Sequence, residues 1–463
     1  MIGYACETMK EKPRALLINP PVYDFALYDL FLKPYGLFRL AAALRKGGYE
    51  TVYLNALDYR EPFSEAVAGP AKRKSDGTGK FFRIPREMPS ILQEYLPGGL
   101  NRRFARYGIL PEVMQQKMRE ARPDIAFLST GMTYWYKGAA EAGNMFKSLF
   151  PGVPLIAGGV YASLMPEHCR THTRADTVLS RLDGETLDLL LRKAGLTPAG
   201  IAGLLPDPPT DLEYWDDAGV LRLNEGCPFR CDYCASGALH GGFTAGDPEK
   251  SFSQFRQLYE AGLRNFAFYD DALLVNSESV FIPFLEKILT EGMTPSFYTP
   301  NAVHLNRIDP DTARLMKRAG FRELRLGYES SSSDFHESHG SKYREGSFTA
   351  AVEALRRGGF KPRQIAVYIL AGLPDQRSDE VETSVREARA GGVRIHIAEF
   401  SPVPGSPLWS SCTERSRFPL AEEPLFHNNT FFPMEWEGFN RNQLSSIKQE
   451  AATWNRNILT KLV

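Results

Sequence analysis

Three of the chain's six cysteines fall within eight residues, Cys227-Pro-Phe-Arg-Cys231-Asp-Tyr-Cys234, and this C-x3-C-x2-C run constrains the chain more than any other feature. One short loop with this spacing can wrap three thiolates around a single inorganic centre. A structural zinc site takes four protein ligands, normally as two spaced pairs. Here the local set stops at three, and His240, six residues beyond Cys234, is the nearest candidate for a fourth. Three thiols without a centre would have no packing reason to cluster so closely. Three thiolates suit a [4Fe–4S] cluster with one iron left open, by analogy with the open position of a catalytic metal. Cys6, Cys169 and Cys412 stand alone and read as ordinary thiols. His168 and His172 flank Cys169 without a metal-binding spacing.

Composition narrows the remaining classes. A chain of 463 residues accommodates two or three domains. With 43% hydrophobic and 12% aromatic residues it can build cores rather than remain disordered. Lys and Arg total 55 and so do Asp and Glu, so the net charge is zero. That removes the whole-chain argument for a nucleic-acid partner or a polybasic membrane surface. The most apolar stretches, around 153–166 and 365–374, are too short and too interrupted by Gly and Pro to span a bilayer. The N-terminal MIGYACETMKEKPRA has no apolar core of a signal peptide, and six cysteines are no disulfide scaffold. The expectation is a cytoplasmic protein with neither nucleic-acid nor membrane partners.

Along the chain, strands alternate with helices. Residues 14–20 and 51–55 read as strands around a helix at 34–48. A Gly/Pro-rich basic insertion follows at about 60–110; its 71–106 stretch reads as a solvated charged loop or an anion-holding one. Strand 124–130, helix 137–149, strand 153–157 and a βα unit near 176–194 complete a first domain, 1–195. This alternation predicts a doubly wound parallel sheet. A Pro-rich linker is expected at 196–216. A second series begins at 219–224, runs straight into the cysteine loop and supplies six strands and five intervening helices through residue 400. That fits an open six-stranded barrel over 217–402 better than a closed eight-stranded one, with the chemistry at the C-terminal strand ends. The aromatic-rich extension 403–463 reads as packing or as a cover over the barrel mouth.

The cysteine loop, with the aromatic Tyr233 just before its last cysteine, is similar to that of the radical S-adenosylmethionine (SAM) enzymes. The resemblance implies that Cys227, Cys231 and Cys234 each hold one iron of a [4Fe–4S] cluster. It implies a fourth iron that binds the amino and carboxylate groups of SAM, and reductive cleavage of SAM to a 5′-deoxyadenosyl radical. Further segments carry the likeness through 219–408. Phe268-Tyr269-Asp270-Asp271 resembles the motif that contacts the SAM amino group, although an Asp pair also caps helices. Asn301 follows the third strand, as does His304, which reads equally as an ordinary satisfied histidine. Glu329 and Ser330, at the end of the fourth strand, resemble ribose- or amino-contacting positions. Gly372, in YILAGLP, resembles the adenine-side motif, or else a plain strand-to-loop turn. Phe400-Ser-Pro-Val-Pro-Gly-Ser-Pro-Leu is similar to the family's proline-rich exit.

The first domain resembles the cobalamin-binding domain that precedes many radical SAM barrels, through LLINPP at 16–21, LSTGMTY at 128–134, IAGGVYAS at 156–163 and LDGET at 182–186. The resemblance places a corrin across the C-terminal edge of the sheet, with its nucleotide tail beside Ser129, Thr130, Gly158 and Gly159. One departure is clear. The D-x-H-x-x-G of histidine-ligating cobalamin proteins is absent, and its best frame, Asp24-Phe-Ala26, carries Ala where the His should stand. Asp24, Tyr28 or a residue of the insertion are then candidates to lie near the lower cobalt face.

The expected fold class is α/β: a Rossmann-like domain of cobalamin-binding type, an open (βα)6 radical SAM barrel and a small, mostly helical or irregular C-terminal tail. The expected cofactors are a [4Fe–4S] cluster, SAM and cobalamin. The expected partners are a small-molecule substrate and an electron donor of flavodoxin or ferredoxin type. The expected reaction is methyl transfer to an unactivated carbon or phosphorus. The alternative is a non-methylating rearrangement, cyclisation or oxidation above a degenerate corrin domain.

Overall fold

The computed structural model describes residues 12–96, 100, 102–196, 201, 215–340 and 344–460. Cys6 and nearly all of the expected linker 196–216 lie outside the described residues.

The first sheet has five parallel strands: β1 (Arg14–Asn19), β2 (Glu50–Asn55), β3 (Ile125–Thr130), β4 (Leu155–Gly159) and β5 (Thr177–Leu179). Their order is β2-β1-β3-β4-β5. β1 and β3 are continuous apolar runs because helices cover both faces of a parallel sheet. The first crossover helix, Tyr35–Lys46, buries Leu37, Phe38, Leu40, Ala41 and Leu44 at helical spacing, and Arg45 and Lys46 complement its C-terminal dipole. The direction of strand addition reverses between β1 and β3. In open sheets of this order, that switch point opens a crevice outside the carboxyl ends of the strands.

The insertion is more than a solvated loop. Its segment Ala105–Tyr107 pairs antiparallel with Val22–Asp24 on one side and with Arg83–Pro85 of the same insertion on the other. Phe81, Phe82, Phe104 and Tyr107 are buried. One of its arginines, Arg106, has no exposed surface; it pairs with Glu141 at 2.8 Å and donates to the Ile109 carbonyl. The purely charged, exposed reading is corrected: the cations decorate a structured lobe, whose aromatic residues supply the apolar area that orders it.

The second sheet has seven parallel strands; six run in sequential order, β6 (Gly219–Leu221), β7 (Asn265–Phe268), β8 (Ser296–Tyr298), β9 (Phe321–Glu329), β10 (Ile365–Ala371) and β11 (Arg394–Glu399), and the short Val303–His304 pairs with β9 off this path. The five expected crossover helices are Pro248–Glu260, Phe281–Thr290, Pro310–Ala319, Ser347–Arg357 and Ser378–Ala390. A short helix at Ser333–His339 was not anticipated. The sheet does not close, so β11 is an edge. The C-terminal helix Arg441–Thr460 covers it. Asn455 Oδ1 accepts from Ile395 N–H at 2.8 Å and Asn455 Nδ2 donates to Ile395 O at 2.7 Å, so a side chain stands in for a missing strand.

Phe418, Phe426 and Phe431 of the C-terminal extension are buried. They pack against Phe25 and Tyr95 of the first domain. His427 bonds Thr133 Oγ1 at 2.8 Å, and Asn428 Nδ2 donates to Asp24 at 2.9 Å. These aromatics fill a core that joins the barrel to the first sheet. No helix among the described residues is long and apolar enough to cross a membrane.

Candidate functional site

The cysteine loop is held at its base by a buried carboxylate. Asp270, at the end of β7, accepts the Leu223 N–H at 3.0 Å and the Asn224 N–H at 2.6 Å. Burial pushes its pKa up to about 7, against the opposing pull of those two N–H groups. Asn224–Glu225 then pairs antiparallel with Thr244–Ala245, which draws the loop's two ends together.

Within the loop, Cys231 is buried, Cys227 half-buried and Cys234 exposed, and none is in a disulfide. The Ser236 N–H donates to Cys234 Sγ at 3.4 Å, the kind of bond that stabilises a thiolate ligand. Gly340, at φ +127°, lies against Cys231; a Cβ there would be 2.8 Å from Cys231 Cα and 3.1 Å from its sulfur. Burial, with the Glu329 carboxylate and Cys231 adding to it, raises the Tyr233 hydroxyl pKa strongly.

His240 does not complete a zinc site. Its ring faces two carboxylates, Glu225 at 3.5 Å and Asp271 at 3.6 Å. Among the described residues no three His, Cys, Asp or Glu side chains are placed to hold a single metal ion. A [4Fe–4S] cluster spreads three thiolates over three separate irons and needs no convergence on one ion, so the donor set fits such a cluster better than a four-ligand zinc site. His240 and Arg222 hold the Glu225 carboxyl down at about 2.

Facing the loop is a cavity of about 920 Å³ between the C-terminal edges of the two sheets. All four first-domain residues expected near a corrin line it: Ser129, Thr130, Gly158 and Gly159. Thr130 is a pin. Its Oγ1 donates to Gly158 O and accepts from Ala162 N–H, both at 3.0 Å. Gly159, at φ +111°, is demanded by the fold, since a Cβ would lie 2.3 Å from Thr130 O. Gly158 differs. A Cβ there would meet only Leu179 O, at 3.8 Å. Packing does not require glycine at 158, and its bare backbone leaves room in the cavity for a bulky group. The residues present fit a corrin edge.

The loop after β1 contributes Pro20, Pro21 and Val22 to the wall. Asp24 and Tyr28, expected near the lower face, do not line it. Asp24 is buried and committed to Trp135 Nε1 at 2.7 Å and to Asn428. Tyr28 bonds Thr78 in the insertion.

The barrel's expected residues divide. Asp271 lines the cavity and accepts from Ser236 Oγ at 2.5 Å. The others lie outside the cavity wall. Asp270 is the strut described above. Asn301 Nδ2 donates to the Tyr269 and Asp270 carbonyls at 3.2 and 3.3 Å, which fixes the turn that carries Asp271. Glu329 sits at φ +63°, a strained backbone for a non-glycine residue, half-buried over Gly327. Ser330 is buried and bonds the Ser332 N–H and, through its carbonyl, His336. Gly372, at φ +97°, lies against the Phe432 ring, which a Cβ would approach to 2.3 Å, and its N–H is bonded by Gln376 at 2.7 Å.

Residues 221–388 match the family model described as the radical SAM superfamily. These residues are a radical SAM domain. An uncharacterized methyltransferase of Pyrococcus horikoshii is 25% identical over 356 residues, 68% of this chain and 72% of its own. TsrM of Kitasatospora setae, a radical SAM methyltransferase solved with cobalamin and a [4Fe–4S] cluster, superposes with a TM-score of 0.63 at 14% identity, over 96% of this chain and 89% of its own. OxsB, a cobalamin-dependent SAM radical enzyme, gives 0.59 at 12% identity over 96% of this chain; the chain spans 61% of OxsB. At such identities the likeness is one of fold, and it extends across both sheets.

Several wall residues carried little sequence signal: Arg222, Asn224, Glu225 and His240 on the side of the radical SAM domain, and Tyr35 beneath Arg222. The one available clue was position, since Arg222–Glu225 and His240 bracket the cysteines. Tyr269, just before the Asp pair, also crosses between the domains, accepting the Lys33 N–H at 2.8 Å and donating to Phe31 O.

Proposed function

We propose that the chain is a cobalamin-dependent radical SAM methyltransferase that methylates an unactivated carbon or phosphorus of a small molecule. Residues 1–195 hold the corrin, 217–402 hold the cluster and SAM, and 403–463 lock the two together. The observation that carries this reading is the single cavity whose walls include Ser129, Thr130, Gly158 and Gly159 on one side and Asp271 on the other. The solved structures of like fold include enzymes bound to cobalamin, a cluster and SAM or its analogue, which supports the same assignment here.

When bound, the cluster supplies the electron that cleaves SAM, and cobalamin carries the methyl group. The chain's own residues do the rest. Cys227, Cys231 and Cys234 ligate the iron, and Asp270 fixes the loop on which they sit. Asp271 offers a carboxylate to the SAM ammonium, with Asn301 holding its turn. Gly158 and Gly159 let the corrin approach the backbone. The aromatic core under the C-terminal extension keeps the domains in register and water out of their interface. A flavodoxin- or ferredoxin-type protein supplies electrons.

The test is the fate of SAM in anaerobic, cluster-reconstituted enzyme with a reductant. S-adenosylhomocysteine that forms only when cobalamin is present supports methyl transfer. Formation of 5′-deoxyadenosine with no cobalamin-dependent S-adenosylhomocysteine would favour the non-methylating alternative.

A further inference from the structure

Asn224 has an unanswered hydrogen-bond donor at the cavity wall. The residue is 2% exposed and lines the interdomain cavity. Its backbone N–H goes to Asp270 at 2.6 Å, and its side-chain Oδ1 accepts from Gly246 N–H at 3.3 Å across the hairpin neck. These bonds settle which way the amide faces, because only the oxygen can accept from Gly246. Nδ2 is left buried with no hydrogen-bond partner among the described residues. A buried donor without an acceptor is costly and uncommon in folded proteins. Here it stands three residues before the first cysteine, on the wall that faces the cavity.

Its surroundings define the missing acceptor. Arg222, also on the wall, is half-buried over the Tyr35 ring at 5.2 Å and reaches Glu225 at 3.2 Å. Glu225 and Asp271 are the carboxylates on the barrel side of the wall, and both engage His240. The wall therefore pairs an acceptor side, at Asp271, with a donor side, at Asn224 backed by the Arg222 cation.

We propose that Asn224 Nδ2 donates to a carbonyl-type oxygen of a ligand in this cavity and so is a ligand-binding residue upstream of the cysteine loop. This rests on the functional reading above, which supplies two sources of such an oxygen: the carboxylate of SAM and the side-chain amides of cobalamin.

The test compares Asn224→Asp and Asn224→Leu with wild type as cluster-reconstituted holoenzymes. Asp keeps the oxygen that accepts from Gly246 and replaces only the donor. Leu removes both. Iron content and the visible spectrum report whether each variant keeps its cluster. Equilibrium binding is then measured with SAM, with decarboxylated SAM and with hydroxocobalamin. Asn224→Asp is expected to weaken one ligand by a factor of roughly 5–30, with an intact cluster. If SAM is weakened and decarboxylated SAM is not, the acceptor is the SAM carboxylate. If hydroxocobalamin is weakened and SAM is not, the acceptor is a corrin amide. Wild-type affinities for all three probes in Asn224→Asp, with weakening only in Asn224→Leu, would make Asn224 a hairpin strut and overturn the proposal. A wild type that binds neither SAM nor cobalamin would instead overturn the functional reading beneath it.

Discussion

At the first sheet the cavity wall combines bare backbone at Gly158 and Gly159 with Pro20, Pro21 and bulky side chains such as Trp135 and Tyr161, with Thr130 pinned behind the glycines. At the barrel it is side chain: Arg222, Asn224, Glu225, His240 and Asp271, cross-linked to one another and to the cysteine loop. A wall of glycine, proline and aromatic groups accepts a large, rigid group by shape, and a wall of linked charges selects a smaller one by chemistry. The contrast also separates neighbours. Asp270 and Asp271 are adjacent, yet one supports the loop from inside and the other faces the cavity.

The largest effect tests the barrel half. Cys231→Ala should take reconstituted enzyme from about four irons per chain to near none and abolish SAM cleavage, while cobalamin retention persists. Iron analysis and the visible spectrum check it. If the cavity halves are not separable, cobalamin will be lost as well.

The first-sheet half is broken by Gly158→Val. A Cβ there meets only Leu179 O, at 3.8 Å, so the fold should hold while the cavity loses depth. Cobalamin affinity should fall roughly tenfold or more with the iron content unchanged. Equal cobalamin retention would remove the corrin edge from this wall.

The paired aspartates sharpen the comparison. Asp271→Asn should weaken SAM binding roughly tenfold and leave the cluster intact. Asp270→Asn offers one acceptor to two N–H groups, so it should destabilise the loop by about 1–3 kcal/mol, seen as slower or partial cluster reconstitution. The opposite pattern would exchange their roles.

The join between the halves responds to acid. Burial lowers the His427 pKa to about 4, while the unfolded chain titrates near the ordinary 6.5. Between those values the unfolded state binds a proton that the folded state does not, so stability is complete above about pH 6.5 and falls as the pH drops towards 4. The loss is on the order of 3 kcal/mol, and His427→Gln should flatten it in pH-dependent unfolding. The smallest effect is expected at Gly372→Ala, which crowds Phe432 and strains a positive φ. Thermal unfolding should show about 1–3 kcal/mol of destabilisation.

The alternation of strands and helices was legible in the sequence, because its periodicity is a local signal, and cysteine spacing, also local, marked the candidate cluster ligands. The placement of Gly158 and Gly159 on the cavity wall was legible for a similar reason: a glycine pair after a strand marks bare backbone wherever it stands. Polar residues at barrel strand ends were harder to read. Whether Asp270, Asn301 or Ser330 faces a cavity or a neighbouring turn depends on contacts between distant segments, such as Asp270 with 223–224 and Asn301 with 269–270. Gly372 was ambiguous because its neighbour, Phe432, lies sixty residues away in sequence. The insertion misled because its charge count hid buried Phe81, Phe82 and Phe104.

The most direct test of the central claim is cobalamin retention. The enzyme is reconstituted anaerobically with iron and sulfide, mixed with hydroxocobalamin and desalted, and its cobalt content and visible spectrum are recorded. The account predicts close to one cobalamin per chain beside an intact [4Fe–4S] cluster, and a clear loss in Gly158→Val. An intact cluster with no retained cobalt would contradict it and leave the first sheet a scaffold.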